Sequence, residues 1–280
     1  MTTLYHSIMG LPRSGKTTFL AALGHLISAG EVATRLSLYK LEGNNAYLDS
    51  ITEAWRRCEC VPRTSIASET KISIHLQDLN TNNRFILDFP DLSGESFEEQ
   101  FSSRRCKIDY INNYEKEGGI LLFINADRCQ DGITHLDLYP ALDTTDVHET
   151  SSSEQDWSPK FVPEQVRLVD LLQFLLRPPF VRRLRRVAVL ISAWDVILDP
   201  DLLPIDWLAR ELPFLYYFLM NNPELFNFQV FGVSAQGGDI RGEQRAQLAR
   251  QLPSQRIQCI GSNAEPHDIT APLIWLNGIE

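Results

Sequence analysis

No stretch of the 280-residue sequence approaches the ~20 consecutive apolar residues that cross a bilayer, so no membrane-spanning helix is expected. A basic excess is missing too. Lysine and arginine number 26 against 36 acidic residues, a net charge of −10, and a sequence-independent grip on nucleic acid needs the opposite balance. The opening MTTLYHSIMG carries no charged leader, which predicts no secretory signal. The five cysteines are an odd number at irregular spacings. Cys58 and Cys60 sit too close for the usual zinc pair, and no second pair or His doublet completes a site. Reduced thiols in the cytoplasm are the expectation. No internal repeat is visible.

What is present begins at residues 10–17, Gly-Leu-Pro-Arg-Ser-Gly-Lys-Thr, a full match to the phosphate-binding pattern G-x-x-x-x-G-K-[ST]. The apolar run at 4–9 has the length of a strand, and a helix-forming series at 17–26 follows. A loop between them must turn sharply with its N–H groups inward, so glycine stands at Gly10 and Gly15, where a Cβ would collide. These N–H groups, with Arg13, Ser14 and Thr18 among the contributors, join the positive end of the helix in a nest for phosphate oxygens. Lys16 is expected to reach the terminal phosphates, and the Thr17 hydroxyl to hold magnesium. The Arg13 side chain is expected to face solvent or pair with an acid; leaning over the phosphates is the alternative.

Residues 35–40 suggest a short strand or helix end, and 46–57 a polar helix. Alternating runs at 71–79 and 84–89, joined by Asn80-Thr81-Asn82-Asn83, predict a hairpin. Continuous apolar runs at 120–124, 187–192 and 228–233 predict strands covered on both faces. Together they predict an α/β fold of the P-loop kind: a doubly wound, mostly parallel sheet with one antiparallel strand from the early hairpin. One domain over residues 1–280 is expected, interrupted at 128–162 by a polar, acidic insertion with little to bury, expected to be mobile. A helix at 163–176 resumes the fold. Residues 212–220 read as a buried helix and 269–276 as a closing helix on the sheet. Arg182, Arg183, Arg185 and Arg186 read as a solvated rim balancing the acidic insertion, with a partner or lipid-headgroup contact as the alternative.

Three further segments narrow the chemistry. ILDFPDLSGE at 86–95 contains Asp91-Leu-Ser-Gly94, a D-x-x-G in which the aspartate binds magnesium through water and the glycine N–H meets a γ-phosphate. A γ-phosphate sensed by backbone lets the segment move on hydrolysis. Asp88 is the competing metal aspartate; Asp91 is preferred because it keeps both the glycine and the acid after it. Asp195, in Ile-Ser192-Ala-Trp-Asp195, can accept from N1–H and the 2-amino group of guanine, a donor pair adenine lacks. Ser234-Ala235-Gln236 ends the last apolar run, where a backbone N–H can donate to guanine O6.

GLPRSGKT, DLSG, SAWD and SAQ in this order resemble the motifs of Ras-like, translation-factor-class P-loop GTPases. The resemblance implies GTP/GDP and Mg2+ as ligands and a switch controlling a protein partner. It implies Ser192 in the place of the usual Asn or Thr, and Thr64, with Ser65 and Thr70 as rivals, as the switch residue closing on magnesium. Two lysines of the family pattern are replaced, by Ala193 and Gln236. The water-orienting glutamine after the D-x-x-G glycine is Glu95 here, which predicts slow turnover with Lys16, Gly94, Glu95 and Thr64 at the reacting phosphate. The rival classes are an ATP-dependent P-loop enzyme and a nucleotide-binding scaffold without catalysis. Gly94-Glu95 with Phe97, the long insertion and the ending PHDITAPLIWLNG resemble the bacterial double-GTPase group. That likeness implies a second GTPase or a defence effector as partner.

Overall fold

The computed structural model describes residues 3–61, 71–89, 94–127 and 162–278. Asp91, Thr64, Ser65, Thr70 and all but the last residue of the expected insertion lie outside them.

β1 (Leu4–Met9) runs through the phosphate loop into α1 (Lys16–Ala29). Gly30, at φ 63°, closes α1 in the left-handed conformation that ends many helices. β2 (Leu36–Gly43) leads to α2 (Asn45–Arg56), started by the Asn44 side chain accepting from the Tyr47 N–H at 3.0 Å. The expected hairpin follows as β3 (Ile72–Asp78) and β4 (Arg84–Phe89). Its turn is fixed by the Asp78 carboxylate accepting from the Asn80 N–H at 2.8 Å, an Asx-type turn.

Beyond it lie α3 (Glu95–Ser103), α4 (Ile108–Glu115), β5 (Ile120–Asn125), α5 (Glu164–Phe174) and β6 (Arg185–Ser192). Then come α6 (Pro204–Glu211), α7 (Pro213–Met220) and β7 (Phe226–Ser234). The short α8 (Arg245–Leu248) and α9 (Pro253–Arg256), β8 (Gln258–Ile260) and α10 (Ala271–Leu276) complete the chain.

One eight-stranded sheet has the order β2-β3-β4-β1-β5-β6-β7-β8. The strands β4, β1, β5, β6 and β7 pair in parallel, and β3 runs antiparallel to both its neighbours, as the hairpin requires. A second antiparallel strand, β8, sits at the far edge against β7; three residues carry no period to read in sequence. The chain starts at β1 in mid-sheet, fills one side through β4, then crosses to β5 on the other. Strand ends part at such a crossing and leave a crevice, and here the phosphate loop leaves β1 at that point.

The continuous apolar strands are explained by two cores. On β5, Leu121 and Phe123 face the α1 side with Phe19 and Leu20, while Ile120, Leu122 and Ile124 face Leu168 and Leu172 of α5. Each such buried side chain contributes about 1.5–3 kcal/mol.

Two expectations are corrected. The arginine group is not a solvated rim. Arg185 is buried and donates to the Tyr114 carbonyl at 2.7 Å; Arg183 donates to the same carbonyl at 3.1 Å; Arg186 donates to the Trp275 carbonyl at 2.6 Å. These carbonyls end α4 and α10, where intrahelical donors run out, and of the four arginines only Arg182 is exposed. The helix at 213–220 is not buried all round either: Leu215 and Leu219 face inward, whereas Phe214, Tyr217 and Met220 are exposed. The closing helix does pack on the sheet through Leu273 and Leu276. No helix among the described residues is long and apolar enough to cross a membrane.

Candidate functional site

At the phosphate end, backbone conformation does the work. Arg13 and Gly15 both take positive φ, 64° and 91°, and a Cβ on Gly15 would lie 2.6 Å from Ser192. No side chain caps α1 and no acid lies in its first turn. Its leading N–H groups and positive dipole end therefore suit an anion. Lys16 is 2% exposed and its Nζ donates to the carbonyls of Gly10 at 2.8 Å and Leu11 at 2.9 Å. Ser14 Oγ accepts from the same group at 3.3 Å. Arg13 is exposed, as expected, and its carbonyl accepts from Asn125 Nδ2 at 2.9 Å.

The D-x-x-G glycine is brought directly to this loop. Gly94, at φ 80°, opens α3, and a Cβ there would meet Lys16 Nζ and the backbone of Leu11 and Pro12 at 2.7 Å. Only glycine allows that approach. Glu95 follows as the first residue of α3 and lines the same cleft. The competing Asp88 is committed elsewhere: its carboxylate accepts from Ser73 Oγ and pairs with Lys116 at 3.2 Å, among residues that do not line the cleft.

The other end of the cleft is built from the C-terminal ends of β6 and β7. Asp195 lies in a 3-10 turn, Trp194–Val196, directly after β6. The Trp194 ring packs against Gly232 of β7, where a Cβ would come within 2.4 Å of it, and this fixes the turn. Asp195 accepts a short hydrogen bond from Ser234 Oγ, which itself accepts from the Gly237 N–H at 3.0 Å. The Ala235 carbonyl accepts from the indole of Trp55 at 2.9 Å.

One cleft of about 600 Å³ joins the two ends, within the usual range for small-molecule sites. Arg13, Ser14, Gly15, Lys16, Thr17 and Thr18 line it on one side; Ser192, Asp195 and Ala235 line it on the other. Ser192 Oγ is buried without a hydrogen-bond partner, a cost of roughly 1–3 kcal/mol unless a ligand supplies one. That orphaned hydroxyl, the uncapped α1 and the two glycine approaches fit a nucleotide carrying phosphates. Asn125 and Trp55 escaped the sequence reading. A polar residue ending the apolar run of β5 was the available sign for Asn125; Trp55, 180 residues from its partner, gave none.

A family model described as Double-GTPase 1 matches residues 7–276. The chain belongs to the Double-GTPase 1 family. Solved structures similar to this Double-GTPase 1 chain include the bacterial selenocysteine-specific elongation factor EF-Sec, at 12% identity and TM-score 0.40. That match covers 89% of this chain and 28% of the other. The GTPase-like domain of S. cerevisiae Ski7, bound to GTP, matches at 14% identity and TM-score 0.45, covering 85% and 44%. Nucleolar GTP-binding protein 1 from Plasmodium falciparum matches at 12% and 0.37, covering 89% and 87%. No curated protein matches. The chain spans 28% and 44% of the lengths of the EF-Sec and Ski7 chains.

Proposed function

We propose that this protein is a GTP-binding switch that hydrolyses GTP slowly and controls a protein partner, a second GTPase or a bacterial defence effector. The observation that supports it is the single cleft with a phosphate loop at one end and the Asp195–Ser234 pair at the other. Asp195 selects the base by accepting from N1–H and the 2-amino group, and the Ala235 loop donates to O6. Lys16, turned from its own loop carbonyls, neutralises phosphate charge. Thr17, Asp91 and Thr64 would hold magnesium, which when bound neutralises charge on the β- and γ-phosphates.

Gly94 ties α3 to the phosphate state: its backbone lies against Lys16, so a γ-phosphate arriving there displaces or captures it, and the switch follows. Glu95 occupies the place of a neutral water-orienting group. Its charge repels the γ-phosphate, and slow turnover follows. The same substitution favours a second reading, a nucleotide-binding scaffold that does not hydrolyse. Single-turnover phosphate release after magnesium addition separates the two. Slow release by the native protein, roughly several-fold faster for Glu95→Gln once the repulsion is gone, is expected. Nucleotide retained with no phosphate released establishes the scaffold.

A further inference from the structure

We propose that Trp55 is a positioning residue for guanine recognition: it aligns the main chain of the loop that reads O6. The inference rests on the base lying beside Asp195, Ser234 and Ala235. The peptide joining Ala235 to Gln236 is planar, so holding its carbonyl fixes its N–H as well. The indole N–H of Trp55 holds that carbonyl at 2.9 Å. A second bond runs the opposite way, from the Gln236 side-chain amide to the Trp55 carbonyl at 3.4 Å. Side chain grips main chain in both directions, so the loop cannot slide along α2 without breaking both.

Trp55 is itself immobilised. It is fully buried, with the His25 ring 5.3 Å away and the Arg256 guanidinium 4.7 Å over its face. Arg256 also donates to the Trp55 carbonyl at 3.2 Å, and Gly237 lies so close to Arg256 that a Cβ would come within 2.3 Å of its carbonyl oxygen. The base loop is thus bolted to the last turn of α2. From there the chain passes through Cys58 to Cys60 and Val61, which line the cleft. In place of the family's lysine at Gln236, this chain uses an amide that reaches back to the helix.

The test is Trp55→Phe, which keeps an aromatic ring and deletes the N–H. Binding of GDP, 6-thio-GDP and IDP is measured for native and variant protein. Sulfur at position 6 accepts poorly, whereas IDP keeps O6 and lacks only the 2-amino group that Asp195 reads. The preference for GDP over 6-thio-GDP is expected to fall roughly five- to tenfold, the scale of one hydrogen bond, while the preference for GDP over IDP holds. A merely structural Trp55 lowers all three affinities together and leaves both ratios unchanged, which overturns the proposal. If Trp55→Phe does not fold, Gln236→Met carries the test, with a fall of about two- to threefold expected in the same ratio and an unchanged ratio overturning it. Native protein that binds ADP as tightly as GDP sinks the underlying base assignment instead.

Discussion

The two ends of the cleft are built in opposite ways. The phosphate end is local: eight consecutive residues place their own N–H groups, and Lys16 is held by carbonyls five and six positions away. The base end is assembled from the ends of β6 and β7 and from α2, with bonds spanning 39 and 180 positions. A local device leaves little room for change, because its conformation is set mostly by contacts within one short segment. An assembled one can lose a member and recruit another. Ala193 and Gln236 stand where the motifs that this sequence resembles have lysines, and the contact proposed for Trp55 would hold the loop in their absence.

Breaking the phosphate end should have the largest effect. Lys16→Ala removes two or three charge-assisted contacts to phosphate, on the order of 4 kcal/mol, and isothermal titration should show roughly a thousandfold loss for GDP and GTP alike. A loss confined to one nucleotide base would place Lys16 at the wrong end.

The foot of β1 gives the next effect, and it should touch stability alone. His6 donates from Nε2 to Asn277 Oδ1 at 3.0 Å and accepts from the Gly119 N–H at Nδ1, 2.9 Å, so the imidazole is neutral. Burial outweighs the Asn277 bond and lowers its pKa from 6.5 to about 4. The unfolded chain therefore takes up the proton first as pH falls. Stability present above pH 6.5 is lost progressively down to about pH 4, about 3 kcal/mol in total. Urea unfolding between pH 7 and pH 4 should show this slope, and His6→Gln should flatten it with GDP affinity at pH 7 unchanged. An equal slope in the variant refutes the assignment.

At the base end, Asp195→Asn should cost about 2 kcal/mol, roughly thirtyfold for GDP, and should raise relative affinity for XDP. Asparagine can donate to the 2-oxo group that replaces the amine. Equal GDP affinity in that variant breaks the base assignment. The smallest change is Ser192→Ala, which separates ligand contact from packing. If nucleotide satisfies the orphaned hydroxyl, GDP binding weakens about threefold while the free protein gains stability of about 1 kcal/mol. Unchanged binding with the same gain makes Ser192 a packing residue.

The fold was legible where period and length decide. The apolar runs at 120–124 and 187–192 could only be covered on two faces, and the Asn-rich turn closed the hairpin as read. The arginines at 183–186 misled because charge in sequence does not say which carbonyls lie nearby; the ends of two separate helices, α4 and α10, meet them. Helix 213–220 misled because large apolar and aromatic side chains, Phe214, Tyr217 and Met220, also occupy its exposed face. In the site, residues 10–17, Asp195 and Ser234 could each be singled out because each stands at the end of an apolar strand; the bond between Asp195 and Ser234 came only with the structure. Asn125 carried the same sign, a polar residue ending an apolar strand; Trp55 could not be read, since its partner is set by tertiary contact alone.

The central claim is that the cleft holds a guanine nucleotide. Titrating the purified, nucleotide-stripped protein with GDP and ADP, each in the presence of magnesium, tests it most directly. The account predicts binding of GDP at least a hundredfold tighter than ADP, roughly two Asp195 hydrogen bonds. Equal affinity for the two would contradict it.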